Sequence, residues 1–297
     1  MLVTLPAVAG VLHQPFWVNA ATRIVIFALA AVSLDLIVGY GGMVSFGHAA
    51  YFAAGGYTVG VLAQSGFDSA PLAWLAAVAV SAALALIVGT LSLRTSGIYF
   101  IMITLAFAQM VFFLLVAVKA WGGNDGLPLP SRGVLPLLDL RDANAFYYVA
   151  LALLLAFVAC AAQLVESRFG IVLRGARRSE RRLLALGFPT FRYKLIAFVV
   201  AGAGAGLAGA LYAQFARFVS PDMASWARSG ELLVMVILGG LGTLAGAVYG
   251  TAVLLGLESL LSGFTEHWML PLGAILLVIV LFAKRGLYGW IAGRADG

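Results

Sequence analysis

Charge is scarce in this chain. Asp, Glu, Lys and Arg make up 10% of its 297 residues, against about 25% in an ordinary soluble protein. Its one cysteine, Cys160, lies in an apolar run, so disulfide frameworks and cysteine-rich metal sites are excluded and a buried structural thiol is predicted. Three histidines, His13, His48 and His267, are too dispersed for a metal cluster, and H-E-x-x-H does not occur. The G-x-x-x-x-G-K-[ST] loop is also missing, which excludes ATP binding by that route. No serine has a plausible His/Asp constellation around it. An enzyme is a poor reading, and no cofactor or metal is expected on this chain.

Apolar residues are abundant. They reach 63% of the chain and the mean hydropathy is +1.05, leaving too few polar side chains to wet a globular surface. Soluble enzymes, disordered chains and nucleic-acid-binding domains are thereby excluded, and a polytopic membrane protein remains. The net charge of +6 does not alter this. Eight of the 18 basic residues lie between Arg168 and Lys194, and the residues outside 166–194 balance to zero. The basicity is one local feature.

Apolar runs long enough for a spanning helix, roughly 20 residues, occur near 22–40, 44–64, 72–93, 97–118, 145–165 and 195–215, with further apolar chain at 231–262 and 268–284. Strand-like alternation is absent, so these are helices whose backbone groups are satisfied internally. The positive-inside rule puts 166–194 in the cytoplasm. Arg94 then falls inside, and 119–144 outside, where Lys119, Arg132 and Arg141 balance Asp125, Asp139 and Asp142. Residues 1–15 contain Pro6 and lack a basic flank, which suits neither a signal peptide nor a full span. Lys284, Arg285 and Arg294 belong inside, which requires 231–262 to cross twice as short or broken helices. The predicted fold is an all-α bundle of about eight or nine transmembrane helices with pseudo-repeated halves. It forms a single transmembrane domain over 1–297 with the cytoplasmic loop 166–194 inside it.

The repeat signal comes from two segments 198 residues apart. Gly41-Gly42-Met43-Val44-Ser45-Phe46-Gly47-His48 aligns with Gly239-Gly240-Leu241-Gly242-Thr243-Leu244-Ala245-Gly246, and Tyr51 with Tyr249. Glycine-interrupted segments at matching places point to a transport path in a repeat-built carrier; small residues also let helices pack closely, which leaves a plain packing role open. Asp35, His48 and Glu258 are the ionisable groups in or near the spans. Asp35 and Glu258 are expected near the two interfaces, within reach of water. His48 is either a neutral imidazole donating to a nearby carbonyl or, with Ser45, part of a polar route. Three such groups without obvious partners are few for the relay of a proton-coupled carrier.

Within the basic loop, residues 177–186 suit a short helix with Gly187 as its left-handed cap. Leu183 and Leu186 share one face, flanked by Arg177, Arg178, Arg181 and Arg182. Such a helix binds lipid headgroups or docks in a groove of another protein.

Four segments together resemble the LivM-type permease subunits of branched-chain amino acid ABC importers. They are Leu34-Asp35-Leu36-Ile37-Val38-Gly39-Tyr40-Gly41-Gly42 with Ser45-Phe46-Gly47-His48-Ala49; Trp121-Gly122-Gly123-Asn124-Asp125-Gly126-Leu127; the basic loop through Tyr193-Lys194-Leu195; and Met235-Val236-Ile237-Leu238-Gly239-Gly240-Leu241-Gly242-Thr243. The resemblance runs from about residue 20 to 290. It implies import across a bacterial inner membrane with a second permease chain, identical or similar. It also implies two cytoplasmic ATPase subunits that carry the ATP-Mg, and a periplasmic substrate-binding protein. The loop then corresponds to the coupling helix, with Arg174, Arg177, Arg178, Glu180, Arg181, Leu183, Ala185, Leu186 and Gly187 as its candidate docking residues. The family pattern is kept at Arg174, Glu180, Arg181, Ala185, Leu186 and Gly187 and departed from at Arg182, Leu183 and Leu184. Asp35 stands where the family commonly has Asn, and the usual long first apolar helix is missing or much shortened.

Candidate route-facing residues are Ser45, His48, Tyr51, Tyr99, Thr104, Gln109 and Thr243, because polar groups in a dry span need partners or a wet cavity. Asn124 and Asp125 among glycines either shape an outer mouth or make a plain turn. The loops 119–144 and 215–230 are expected to receive the ligand. Other cargo for the same class of importer (urea, amides, aromatic acids, sugars) and a stand-alone secondary transporter remain alternatives.

Overall fold

A computed structural model describes residues 15–134, 140–264, 267, 269–282, 286 and 289. His13, the 1–14 segment with Pro6, Asp139, Lys284, Arg285 and Arg294 lie outside the described residues.

The chain folds as helices α1 (Pro15–Asp35), α2 (His48–Gln64), α3 (Ala70–Ser92), α4 (Ile98–Ala117), α5 (Ala143–Glu166), α6 (Arg168–Ala185), α7 (Thr190–Ala216), α8 (Trp226–Gly239), α9 (Leu244–Ser262) and α10 (Met269–Phe282). Helix starts follow local chemistry. The Asp142, Ser167 and Ser225 side chains accept from backbone amides in the first turns of α5, α6 and α8, satisfying donors that a helix N-terminus leaves open. Pro71 sits in the first turn of α3, where no amide is needed.

Six described helices are long and apolar enough to cross a membrane: α1 with its continuation to Tyr40, α3, α4, α5, α7 and α9. Their burial sorts them. In its most apolar stretch α1 is 89% buried and α7 61%, whereas α3, α4 and α5 are 33%, 22% and 28% buried. So α1 is the axis, enclosed by α5, α7, α8 and α9, while α2 packs between α3 and α7. The outer faces of α3, α4 and α5 carry exposed Leu75, Ile87, Met102, Phe113 and Leu155, as lipid or a partner helix would require. Cys160 is exposed on α5, not buried as its apolar run suggests; a peripheral helix leaves one side unfilled.

The close packing at the centre depends on α7. A Cβ at Gly206 or Gly209 would strike Ser81 or the Phe52 carbonyl, and one at Gly55 the Gly206 backbone. With lipid tails as apolar as leucine, van der Waals contact of this kind is what holds such helices together.

The stretch 231–262 does divide into two helices, α8 and α9, with Gly240 (φ 111°) and Gly242 (φ 81°) between them. The aligned segment behaves alike. α1 continues as a π-turn over Leu36–Tyr40, the chain breaks with Gly42 at φ 68°, and α2 begins at His48. The all-α plan carries one small addition: Leu127–Pro128 and Phe218–Val219 pair as an antiparallel β1–β2, pinning the 119–134 loop to the C-terminal end of α7. The helix of the basic loop also differs from expectation. It starts at Arg168 rather than at Arg177, and it is interrupted at Ser179, where φ is −161° and ψ 97°.

Candidate functional site: two broken helices joined by an arginine

The start of α2 is buried, so its first amides cannot be left to water. Hydroxyls from two other helices and from the break itself satisfy them. Ser45 Oγ accepts from the Gly47 amide at 3.1 Å, Thr104 Oγ1 of α4 from Phe46 at 3.2 Å, and Ser229 Oγ of α8 from Ala49 at 3.0 Å. Ser33 of α1 meets His48 Nε2 at 2.8 Å and gives its own proton to the Ala30 carbonyl at 2.7 Å. The imidazole is therefore the donor to Ser33, through Nε2–H. His48 thus donates to a hydroxyl rather than to a carbonyl, and its ring stands edge-on to Tyr51. All of Ser33, Ser45, His48, Tyr51, Thr104 and Ser229 are buried.

The structure so brings together Ser45, His48, Tyr51 and Thr104. Thr243 serves the other break, donating to the Gly240 carbonyl at 2.7 Å. Gln109 is half-buried further along α4, and Tyr99 is 73% exposed on that helix's outer face. Ser33 and Ser229 are not among the residues that sequence singles out: Ser33 is a lone serine in an apolar run, and Ser229 stands beside Arg228 and near Glu231, where a hydroxyl looks like part of a solvated turn.

The two breaks meet. Gly242 donates its amide to Asp35 Oδ1 at 2.8 Å, and Gly39 lies so close that a Cβ on it would strike both Asp35 and the Gly242 backbone. Arg177 of α6 reaches the same spot: its Nη1 donates to the Gly39 carbonyl and its stem lies over Gly42. Sequence places Asp35 at the water interface. It is instead fully buried, its Oδ1 bonded to the Gly242 amide from 207 positions away, while Arg177 bonds the Gly39 carbonyl beside it.

The Arg177 guanidinium therefore points inward, although the residue keeps an exposed flank; Arg174, Arg178, Arg181 and Ala185 are exposed beside it. Glu180 joins α6 to α7, with Lys194 Nζ at 2.6 Å and the Thr190 hydroxyl at 3.0 Å. Leu183 folds back on Gly175, so the apolar knob is not Leu183 with Leu186 but Leu184, Leu186 and Phe188, at 54%, 67% and 39% exposure. Gly187 (φ 83°) ends the helix as expected: its amide reaches the Leu184 carbonyl and that of Phe188 the Leu183 carbonyl, the Schellman pattern.

At the opposite end, Asn124 and Asp125 are exposed in a 3-10 turn flanked by Gly122, Gly123 and Gly126, all with positive φ. Nearby Arg132 lies over the Phe146 ring, and burial together with Arg217 pulls its pKa below the ordinary value. Glu258 is ion-paired to Arg23 at 3.0 Å, a partner that sequence alone does not reveal. No group of three or more metal-ligating side chains occurs among the described residues.

A family of proteins described as the permease component of branched-chain amino acid transport systems matches residues 16–283. The chain belongs to that family. It is 30% identical to the high-affinity branched-chain amino acid transport permease LivM of Salmonella typhimurium, over 91% of this chain and 69% of that one. The Escherichia coli LivM is 29% identical over the same shares. Escherichia coli LivH is 26% identical, covering 94% of this chain and 95% of its own length. No solved structure matches.

Proposed function

We propose that this permease-family chain is one of two membrane subunits of an ABC importer for branched-chain or other small hydrophobic amino acids in a bacterial inner membrane. Its partners are a similar or identical permease, two ATPase subunits holding ATP-Mg, and a periplasmic binding protein. The family membership and the LivM and LivH relatives support the transport role. With α2, α8 and α10 counted beside the six long helices, the chain makes nine passes and the basic loop lies in the cytoplasm. The two broken helices are the counterparts of one another in pseudo-repeated halves.

The observation that carries the mechanism is the reach of Arg177 from α6 to both breaks. The ATPase grips the exposed end of α6, with Leu184, Leu186 and Phe188 as the apolar contact and Arg174, Arg178 and Arg181 around it. Closure of the ATPase dimer displaces α6. Glu180–Lys194 carries the displacement to α7, and Arg177 carries it to the breaks, where helix hydrogen bonding is already interrupted and bending is least costly. The route opens beside Ser45, His48, Tyr51, Thr104, Gln109 and Thr243, with Tyr99 toward the partner permease and Asn124 and Asp125 at the outer mouth. This chain performs no bond chemistry.

The test is Leu186→Asp in the reconstituted complex. The expected result is loss of ATPase co-purification and of ATP-dependent leucine uptake, with no response to a proton gradient. Unaltered association and uptake would defeat the docking assignment.

A further inference from the structure

A cavity of about 440 Å³ opens at the outer ends of α1, α8, α9 and α10, within the size range of small-molecule sites. Arg23, Asp222, Arg228, Glu231 and Glu258 line one part of it, and Val234, Leu254 and Leu272 another. Five charged groups around one pocket in a chain with so few charges are unusual, and they are held in a definite arrangement. Both guanidinium groups lie over the buried Phe27 ring, Arg23 at 5.8 Å and Arg228 at 5.5 Å. Arg23 contacts Glu258 through Nη2 alone, at 3.0 and 3.2 Å, and Arg228 contacts Glu231 through Nη1 alone, at 2.5 Å.

We propose that this cavity is an entry site for a zwitterionic amino acid with an apolar side chain. The inference rests on the importer reading and names where the cargo first meets this chain. A guanidinium is a planar fork with five donors, so an end-on ion pair leaves much of it for a second carboxylate. Arg23 and Arg228 receive the α-carboxylate. Glu231, whose Oε1 is not the oxygen paired to Arg228, receives the α-ammonium together with Asp222. The side chain rests against Val234, Leu254 and Leu272. Before cargo arrives, the two ion pairs compensate four of the five charges and leave Asp222 to meet the ammonium. The ligand then exchanges one set of ionic contacts for another. The position fits delivery, because Asp222 belongs to the 3-10 turn Pro221–Ala224 in the outer segment between α7 and α8.

The experiment uses the membrane complex of permeases and ATPases without its binding protein, and radiolabelled leucine as the probe. Expected is saturable leucine binding, displaced at least about tenfold less well by leucinol, which lacks the carboxylate, and by 4-methylpentanoate, which lacks the amine. Arg228→Gln and Glu231→Gln should each weaken leucine binding about tenfold or more. Leu254→Phe, which fills the apolar part without touching a charge, should weaken leucine more than alanine, and this remains readable where an arginine variant fails to assemble. A wild-type complex that imports leucine with ATP but shows no saturable binding, or binding indifferent to all three substitutions, overturns the site and leaves the importer reading intact. A wild-type complex that imports no amino acid overturns the importer reading itself.

Discussion

The Asp35 carboxylate and the Gly242 amide, 207 positions apart in sequence, are joined by a 2.8 Å hydrogen bond at the point where both helix breaks converge. Asp35→Asn keeps an oxygen able to accept from Gly242 and should leave assembly nearly intact. Asp35→Leu strands a buried amide and should cost about 1–3 kcal/mol, seen as a lower thermal midpoint of the purified complex. Equal midpoints for the two variants would show that the bond contributes nothing.

Arg177 links α6 to the same junction. On the proposed mechanism, in which this side chain transmits movement to the breaks and does not hold the ATPase, Arg177→Ala should leave ATPase docking in place yet lower leucine transported per ATP hydrolysed by about tenfold or more. Arg177→Lys keeps charge but not the fork and should fall between. Coupled transport and hydrolysis at wild-type ratio in Arg177→Ala would contradict the assignment.

Ser229 supplies the acceptor for the buried Ala49 amide at the start of α2. Ser229→Ala should destabilise by about 1–3 kcal/mol. Thr90→Ala, which removes a hydroxyl bonded to its own helix at Ile87, should stay within about 0.5 kcal/mol. Thermal melts of the two variants side by side provide the check.

Gly209 allows α7 to lie against the Phe52 carbonyl of α2. Gly209→Val should prevent stable assembly, whereas Gly256→Ala in α9, where a Cβ meets nothing within 4 Å, should be tolerated. Yield of the intact complex on size-exclusion chromatography distinguishes them.

Much of the helical plan was legible because an apolar run of spanning length, without strand-like alternation, can satisfy its backbone in lipid only as a helix. The division at Gly240 and Gly242 could be inferred from the balance of charge on the two sides of the membrane. What stayed hidden were partners. Arg23 and Glu258 are 235 residues apart, Asp35 draws on Gly242, and Arg177 reaches Gly39; no local pattern encodes such pairings. Side-chain direction was equally hidden. The kink at Ser179 brings the last turn of α6 back toward its first part, so Leu183 meets Gly175 while Leu184 and Leu186 are left exposed, and a straight helix read from sequence does not show this. The hydroxyls of Ser33, Thr104 and Ser229 converge only through tertiary packing, and of these Thr104 alone could be singled out by residue type.

The enclosure of α1 bears on how the protein is made. Its Arg23 and Asp35 enter the membrane early, but Glu258 and Gly242 are synthesised 235 and 207 residues later. At an elongation rate of about 5–20 residues per second, α1 waits roughly ten to fifty seconds for its counter-groups. During that interval the nascent helix must be sheltered by the insertion machinery or ride near the headgroups. Final seating of α1 therefore follows the synthesis of α9.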